Sequence, residues 1–171
     1  MKYLLRLLLV VLVSVFVFLL AGLLATWAPD RPVQQLTARW AQPPSTWLEI
    51  AGMRVHLRDE GPRDDKEPIV LLHGTSASLH TWDGWADNLK AQRRVIRFDL
   101  PGYGLTGPSP NNDYTVDAYV RLVVQVMDAL KVQRFVLVGN SLGGQIAWAT
   151  AVAQPRRVSQ LCLLYTSPSP R

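Results

Sequence analysis

The chain has 171 residues and a formal net charge of +5 at pH 7, and 49% of its residues are hydrophobic. Its single cysteine, Cys162, excludes an internal disulfide and a cysteine-ligated metal cluster. Residues 28–161 hold 15 Lys and Arg against 13 Asp and Glu, with the two signs interspersed rather than blocked as in nucleic-acid-binding segments. We therefore expect no nucleic-acid partner, no metal and no cofactor.

The N-terminus is predicted to cross a membrane. Residues Leu7–Ala25 form an uncharged run of 19 residues, which as a helix spans about 28 Å, close to the hydrocarbon core of a bilayer. The apolar regions of signal peptides are shorter. Residues 1–27 are therefore interpreted as a transmembrane signal anchor, with a cleaved signal peptide or a buried soluble helix as alternatives. Lys2 and Arg6 favour a single-pass protein whose remaining chain is extracytoplasmic, and periplasmic in a bacterium.

Residues 28–45 are predicted to be a linker because they contain four prolines. Within this segment, Leu36 and Trp40 suggest a short amphipathic turn that lies at the membrane interface. The folded domain is expected to begin at residue 46.

A hairpin is predicted at the start of this domain. Its two strands are Trp47–Ile50 and Met53–Asp59, joined by an Ala-Gly turn. His56 alternates with apolar residues in the second strand and is expected at a surface or half-buried position.

A buried strand, Ile69–Leu72, then runs into the His-Gly-Thr loop of residues 73–75. The next element is a predicted helix, Trp82–Ala91, with a core-facing side made of Trp82, Trp85 and Leu89. His80 precedes this helix in a polar loop and is expected to be exposed.

The following strand, Val95–Phe98, runs into the loop Asp-Leu-Pro-Gly-Tyr-Gly-Leu-Thr of residues 99–106. Around this strand is the densest basic cluster of the chain, which we interpret as a solvated edge; it consists of Arg93, Arg94 and Arg97. A helix over Thr115–Leu130 follows, because apolar residues recur there at helical spacing.

The sequence Gly-Asn-Ser-Leu-Gly of residues 139–143 has the form of a nucleophile elbow. The apolar strand Phe135–Val138 precedes it, and a helix rich in small residues, Leu142–Ala153, follows. Such a strand–turn–helix exposes the serine hydroxyl in a strained turn, and only glycine fits two residues to either side. Ser141 is therefore the candidate nucleophile; the alternative is a glycine-rich turn whose serine has no catalytic role.

Strands that alternate with helices predict an α/β fold with a mostly parallel sheet and flanking helices. Three loops follow three of these strands in order: His-Gly, Asp-x-Pro-Gly-x-Gly and Gly-x-Ser-x-Gly. In these motifs, over Trp47–Leu161, the chain resembles the N-terminal part of the α/β-hydrolase fold family, in particular its esterases and carbon–carbon bond hydrolases. One departure is Thr106, where the family often has serine. Haloalkane dehalogenases and epoxide hydrolases carry aspartate at the nucleophile position, so Ser141 argues against both.

The resemblance implies roles for individual residues. Ser141 would be the nucleophile, and the backbone N–H groups of Thr75 and Leu142 would form the oxyanion hole. The remaining elbow and loop residues would have structural roles; these residues are Gly139, Gly143, His73 and Gly74. Among them, His73 would brace the loop around the oxyanion hole.

A general base and its carboxylate partner follow the serine in this family, yet the chain has no Asp, Glu or His after Ser141. Residues 162–171 can be read back into codons that match a sequencing-library adapter. We therefore interpret residues 46–161 as a truncated hydrolase domain and 162–171 as an artefact tail, with a natural Ser/Pro tail as the alternative.

These observations predict a membrane-anchored serine hydrolase of small esters or related carbonyl substrates. Its partners would be a small-molecule substrate and the membrane, through the N-terminal helix. Without a base, this chain itself is expected to be inactive. The alternative is a non-catalytic, membrane-tethered interaction module on a hydrolase scaffold.

Overall fold

The structure, a computed structural model, describes residues 2–29 and 31–164 in two compact units that divide after Pro32. In the first unit, helix α1 (Lys2–Thr26) has 25 residues and exposed apolar side chains, and is about 37 Å long. Among the described residues it is the one helix with the length and composition to cross a bilayer. The predicted apolar helix is thus confirmed.

The second unit begins with helix α2 (Val33–Trp40), which is longer than the single turn expected in the linker. Val33, Leu36 and Thr37 are its partly buried residues, at the i, i+3, i+4 spacing of one helix face. The sequence between α1 and the sheet is therefore partly packed, rather than an extended linker throughout.

One six-stranded sheet organises the second unit, in the order β1-β2-β4-β3-β5-β6. The strands are β1 (Thr46–Ile50), β2 (Met53–Glu60), β3 (Ile69–Leu72), β4 (Val95–Phe98), β5 (Phe135–Asn140) and β6 (Val158–Leu164). β2 is antiparallel to both β1 and β4, whereas the β3–β4, β3–β5 and β5–β6 pairs are parallel. This is the α/β architecture that the sequence predicted.

Helices cover both faces of the sheet. They are a 3₁₀ turn (Leu79–Trp82), α3 (Asp83–Leu89), α4 (Val116–Ala129) and α5 (Leu142–Ala153). The larger core cluster joins buried residues of α4 and α5 to one face, and a smaller cluster around Trp82 and Ala86 covers the other. Because parallel strands are buried on both faces, β3 and β4 are apolar along most of their length.

The predicted core face of Trp82, Trp85 and Leu89 is only partly correct. Trp82 is buried, but Trp85 is 44% exposed and lies edge-on to Trp82, with ring centroids 5.5 Å apart. The reason is that Trp82 belongs to the 3₁₀ turn, whose residue spacing differs from that of the α-helix that follows.

The expectation of a solvated basic edge is wrong for Arg94 and Arg97, which are both buried. Arg97 contacts Glu60 at 2.8 Å and also pairs with Asp83. Arg94 donates two hydrogen bonds to Asp59, at 2.9 and 2.8 Å. The acidic partners come from β2 and α3, so spacing along the chain could not identify them.

Strand β6 pairs with β5 through Leu164 and therefore includes Cys162–Leu164, the first residues of the predicted artefact tail. The remainder of that tail, 165–171, lies outside the described residues. The domain boundaries at 46 and 161 stay predictions.

Candidate active site

Ser141 stands alone between the last residue of β5 and the first residue of α5. Its backbone has φ 53° and ψ −117°, and the residue is exposed. A serine at positive φ occupies a sparsely populated conformation that costs roughly 1–3 kcal/mol and persists only where the surrounding structure imposes it. The chain therefore presents this one hydroxyl on a sharp turn between a buried strand and a helix.

Two glycines allow the backbone to pass this closely. A Cβ atom at Gly139 would lie 2.1 Å from the carbonyl oxygen of Gly143, and one at Gly143 would lie 2.2 Å from the carbonyl oxygen of Leu72. Both contacts are with main-chain atoms, which cannot rotate away. The turn thus packs backbone against backbone, both within the elbow and against β3.

The His-Gly-Thr loop lies beside Ser141 because β3 and β5 are parallel neighbours, with Leu72 paired to Gly139. A Cβ atom built on Gly74 would be 3.2 Å from the Ser141 Cβ and 3.8 Å from its hydroxyl oxygen. Thr75 follows and is exposed. Leu142 begins α5, so its N–H has no partner within the helix. The structure brings together the elbow and the loop that the sequence singled out.

His73 is buried and joins two loops at the carboxyl edge of the sheet. The backbone N–H of Leu100 donates to its Nε2 at 3.0 Å, and its Nδ1 lies 2.8 Å from the carbonyl oxygen of Gly74. Since Nε2 accepts, the ring proton is on Nδ1 and is donated to Gly74. Burial lowers the pKa of His73, against the opposing effects of Gly74 and the Asp99 charge, so the ring is neutral.

The hydrogen bond from His73 to the Gly74 carbonyl fixes the orientation of the peptide between Gly74 and Thr75. The Gly74 carbonyl and the Thr75 N–H belong to the same trans peptide and point in opposite directions. Holding the carbonyl on the His73 side therefore directs the Thr75 N–H away from His73.

Asn140, the residue before the serine, was not singled out from the sequence. Its side-chain Oδ1 is buried and has no hydrogen-bond partner among the described residues. A polar residue as the last position of a buried strand is the signal that could have identified it.

The two other histidines also have partners of their own. His80 is half-buried rather than exposed, because its Nε2 lies 3.0 Å from the carbonyl oxygen of Trp40 in α2. Its Nδ1 lies 3.2 Å from the hydroxyl of Ser78. Burial and the neighbouring Arg58 lower the pKa of His80.

His56 is fully buried, which corrects the expected surface or half-buried position. Its Nδ1 lies 2.8 Å from Oδ2 of Asp99, and its Nε2 lies 2.9 Å from the hydroxyl of Ser45. Burial of an imidazole is tolerated here because both ring nitrogens are hydrogen-bonded. In the described residues, the ring nitrogens of all three histidines are thus engaged away from Ser141.

Asp99 is the centre of a buried hydrogen-bond network that the sequence did not reveal. Besides His56, its carboxylate accepts from the backbone N–H groups of Leu79 and Leu105, each at 2.7 Å. The Thr106 hydroxyl donates to the Asp99 carbonyl at 2.7 Å, as a serine hydroxyl could. Burial raises the pKa of Asp99, but the hydrogen bonds from His56 and the two amides outweigh it, and the net pKa is lowered.

Acid is expected to destabilise the second unit, first through His73 and, at still lower pH, also through Asp99. The pKa of His73 lies below its ordinary 6.5 in the folded chain, so its contribution is complete above that pH and is lost as the pH falls. The lowered pKa of Asp99 adds stability above pH 3.8 that is lost on further acidification. Urea unfolding of the chain in detergent micelles should give a smaller free energy of unfolding at about pH 5 than at about pH 7.5. A larger free energy at the lower pH would contradict this assignment.

A family model described as the alpha/beta hydrolase fold matches residues 67–170. The 2-hydroxymuconate semialdehyde hydrolase of Pseudomonas sp. (strain CF600) is 37% identical over 117 residues, which is 67% of this chain and 40% of that protein. Human epoxide hydrolase 4 is 32% identical over 118 residues, 68% of this chain and 32% of that protein.

A solved structure of a membrane phospholipase A, described as a bacterial virulence factor, is also similar. It superposes with a TM-score of 0.69 at 28% identity and covers 97% of this chain and 52% of that one. The chain spans about 40% of the length of the 2-hydroxymuconate semialdehyde hydrolase. With its mixed, mostly parallel sheet, its elbow and its matching family model, the chain belongs to the α/β-hydrolase fold family.

Proposed function

We propose that this chain is part of a membrane-anchored serine hydrolase that cleaves carboxylic esters or related carbonyl compounds, with Ser141 as the nucleophile. The observation that carries the proposal is the conformation of Ser141, an exposed serine at φ 53° between strand and helix. Strain of this kind is concentrated at functional sites. The glycines that permit the turn, Gly139 and Gly143, support the same role.

The mechanism we infer is two-step acyl transfer. The Ser141 hydroxyl attacks the substrate carbonyl, the leaving group departs, and water then releases the acyl group. The N–H groups of Thr75 and Leu142 stabilise the oxyanion, and the positive end of the α5 dipole assists them. His73 acts as a positioning residue, because its hydrogen bond to Gly74 orients the Thr75 peptide.

We further propose that the base and acid of the triad lie outside this chain. No Asp, Glu or His follows Ser141, and the described histidines are occupied elsewhere. Loss of triad members costs about 10⁴–10⁶ in rate. We propose that residues 46–161 belong to an incomplete hydrolase domain, that 28–45 are a connecting segment that includes α2, and that 162–171 are an added tail whose first three residues extend β6.

The kinetic test supplies the missing base from solution. In micelles, the 171-residue chain and its Ser141→Ala variant should hydrolyse p-nitrophenyl butyrate at equal rates. Added imidazole, acting as a diffusible base, should make the unsubstituted chain faster than the variant. Ser141-dependent turnover without imidazole would show that the chain contains its own base. Equal rates in the presence of imidazole would favour the alternative, a non-catalytic tethered module.

Two substrate classes are supported by different observations. The similarity to the membrane phospholipase A covers 97% of the chain, leaving about five residues, so it extends into α1 and favours acyl esters of membrane lipids. The higher sequence identity, 37%, is with a 2-hydroxymuconate semialdehyde hydrolase, which favours cleavage of a carbon–carbon bond beside a carbonyl. Imidazole-assisted assays with a phospholipid ester and with 2-hydroxymuconate semialdehyde would show which of the two substrate classes the chain cleaves.

We propose that α1 anchors the protein with its N-terminus in the cytoplasm. The 25-residue helix is long enough to span a bilayer, and Lys2 and Arg6 precede its apolar part. Alkaline phosphatase, which is active only outside the cytoplasm, should be active when fused after Ser45. A fluorescent protein that matures only in the cytoplasm should be dark at the same position. The reverse pattern would overturn the orientation, and extraction of the protein by salt alone would overturn the anchor.

A further inference from the structure

A second serine in this chain has the hydrogen-bond partners of an activated nucleophile. The hydroxyl oxygen of Ser45 lies 2.9 Å from Nε2 of His56, and Nδ1 of His56 lies 2.8 Å from Oδ2 of Asp99. The three side chains therefore form a continuous Ser–His–Asp relay. Ser45 is half-buried, whereas His56 and Asp99 are fully buried.

The partners of Asp99 determine which atom donates each hydrogen bond in the relay. The carboxylate accepts hydrogen bonds from Leu79 and Leu105, and its lowered pKa keeps it ionised. An ionised carboxylate only accepts hydrogen bonds, so the Nδ1 of His56 carries the ring proton. In the neutral ring, the lone pair of Nε2 then faces the Ser45 hydroxyl, which is the arrangement a general base requires.

A cation also contacts the same hydroxyl. The Nε of Arg58 donates to the Ser45 oxygen at 3.1 Å, and the guanidinium is held in place by Asp83 at 3.2 Å. A fixed positive charge at this distance stabilises negative charge that develops on the oxygen as its proton leaves.

We propose that Ser45 is a second nucleophile of this protein, reactive toward acyl and phosphonyl groups of activated esters. Its oxygen bonds to the electrophilic carbon or phosphorus, and the bond to the leaving group breaks. The hydroxyl proton moves to Nε2 of His56, which passes it to a departing alkoxide or, when fluoride leaves as the anion, to solvent. The products are an ester on Ser45, a neutral His56 and the released leaving group.

This site is separate from the elbow. Ser45 directly precedes β1 at one edge of the sheet, and Ser141 follows β5, with β2, β4 and β3 between these strands. The two serines also fall in different tryptic peptides, 40–54 and 135–156, and each is the only serine in its peptide. Labelling at one can therefore be measured independently of the other, and a failure of the Ser141 proposal would leave this test unaffected.

The experiment exposes the 171-residue chain in micelles to a fluorophosphonate and follows each tryptic peptide by mass spectrometry. Ser109 is the matched control, because it is half-buried like Ser45, has no histidine partner among the described hydrogen bonds and lies alone in peptide 98–121. General-base assistance is worth about 10²–10⁴. Ser45 should therefore be labelled at least about 100-fold faster than Ser109, and Ser45→Ala should remove the label from peptide 40–54.

His56→Gln should reduce the labelling of Ser45 to the rate of Ser109. Because this substitution is at a buried position, labelling of the unsubstituted chain in concentrated urea gives a second test. Unfolding should abolish the difference between the two serines, since the relay exists only in the folded chain. Equal labelling of Ser45 and Ser109 in the folded chain would overturn the proposal, as would a difference that persists in urea.

Discussion

Replacing Gly143 by alanine is expected to destabilise the second unit by about 3 kcal/mol or more. The added Cβ would lie 2.2 Å from the carbonyl oxygen of Leu72 and 2.6 Å from that of His73. Leu72 is the last residue of β3 and His73 follows it, so relief requires the elbow to move away from this end of the strand. Overpacking in cores typically costs 1–3 kcal/mol and occasionally more, and a clash with main chain belongs at the upper end of that range.

The measurement is urea unfolding of the chain in micelles, with Gly84→Ala as the matched control. Gly84 lies in α3, and a Cβ added there meets no atom within 4 Å. The control should be neutral or stabilised by up to ~1 kcal/mol, because alanine favours a helix over glycine. A Gly143→Ala variant as stable as this control would show that the elbow is not packed as tightly as described.

Asp99→Asn is expected to cost about 3–5 kcal/mol. The substitution keeps the shape of the side chain but replaces one accepting oxygen by an NH₂ donor. One oxygen accepts from Leu79, and the other accepts from Leu105 and His56. In either orientation of the amide, its NH₂ group faces a backbone N–H that loses its acceptor, and a buried unpaired donor is costly.

Asp64→Asn is the control for this variant, since Asp64 is exposed and substitutions at such positions usually change stability by no more than about 0.5 kcal/mol. Unfolding of both variants should be followed by tryptophan fluorescence. If Asp99→Asn is no less stable than Asp64→Asn, the carboxylate is not the centre of the network.

The features that the sequence predicted well are those set by neighbouring residues. Val95–Phe98 and Leu142–Ala153 were predicted with the bounds the structure has, because an apolar run or a helical pattern is local information. The turn at Ser141 was also predictable, since its glycines lie within two residues of it.

The features that the sequence could not predict depend on partners distant along the chain. His56 looked like a strand position near the surface, but its buried partner Asp99 is 43 residues away. Arg97 looked solvated, yet its partner Glu60 lies 37 residues before it in β2. Polar side chains of this kind are buried only because the sheet order brings their hydrogen-bonding and ion-pairing partners together, and that order is a property of the whole fold.

We infer that Ser141 is the nucleophile of a hydrolase whose base lies outside this chain. The most direct measurement is the mass of tryptic peptide 135–156 after exposure of the chain to p-nitrophenyl butyrate with imidazole. We expect one butyryl group on this peptide, at Ser141, no such group in Ser141→Ala, and little labelling without imidazole. An unmodified peptide in the presence of imidazole, while the chain remains folded, would contradict the claim.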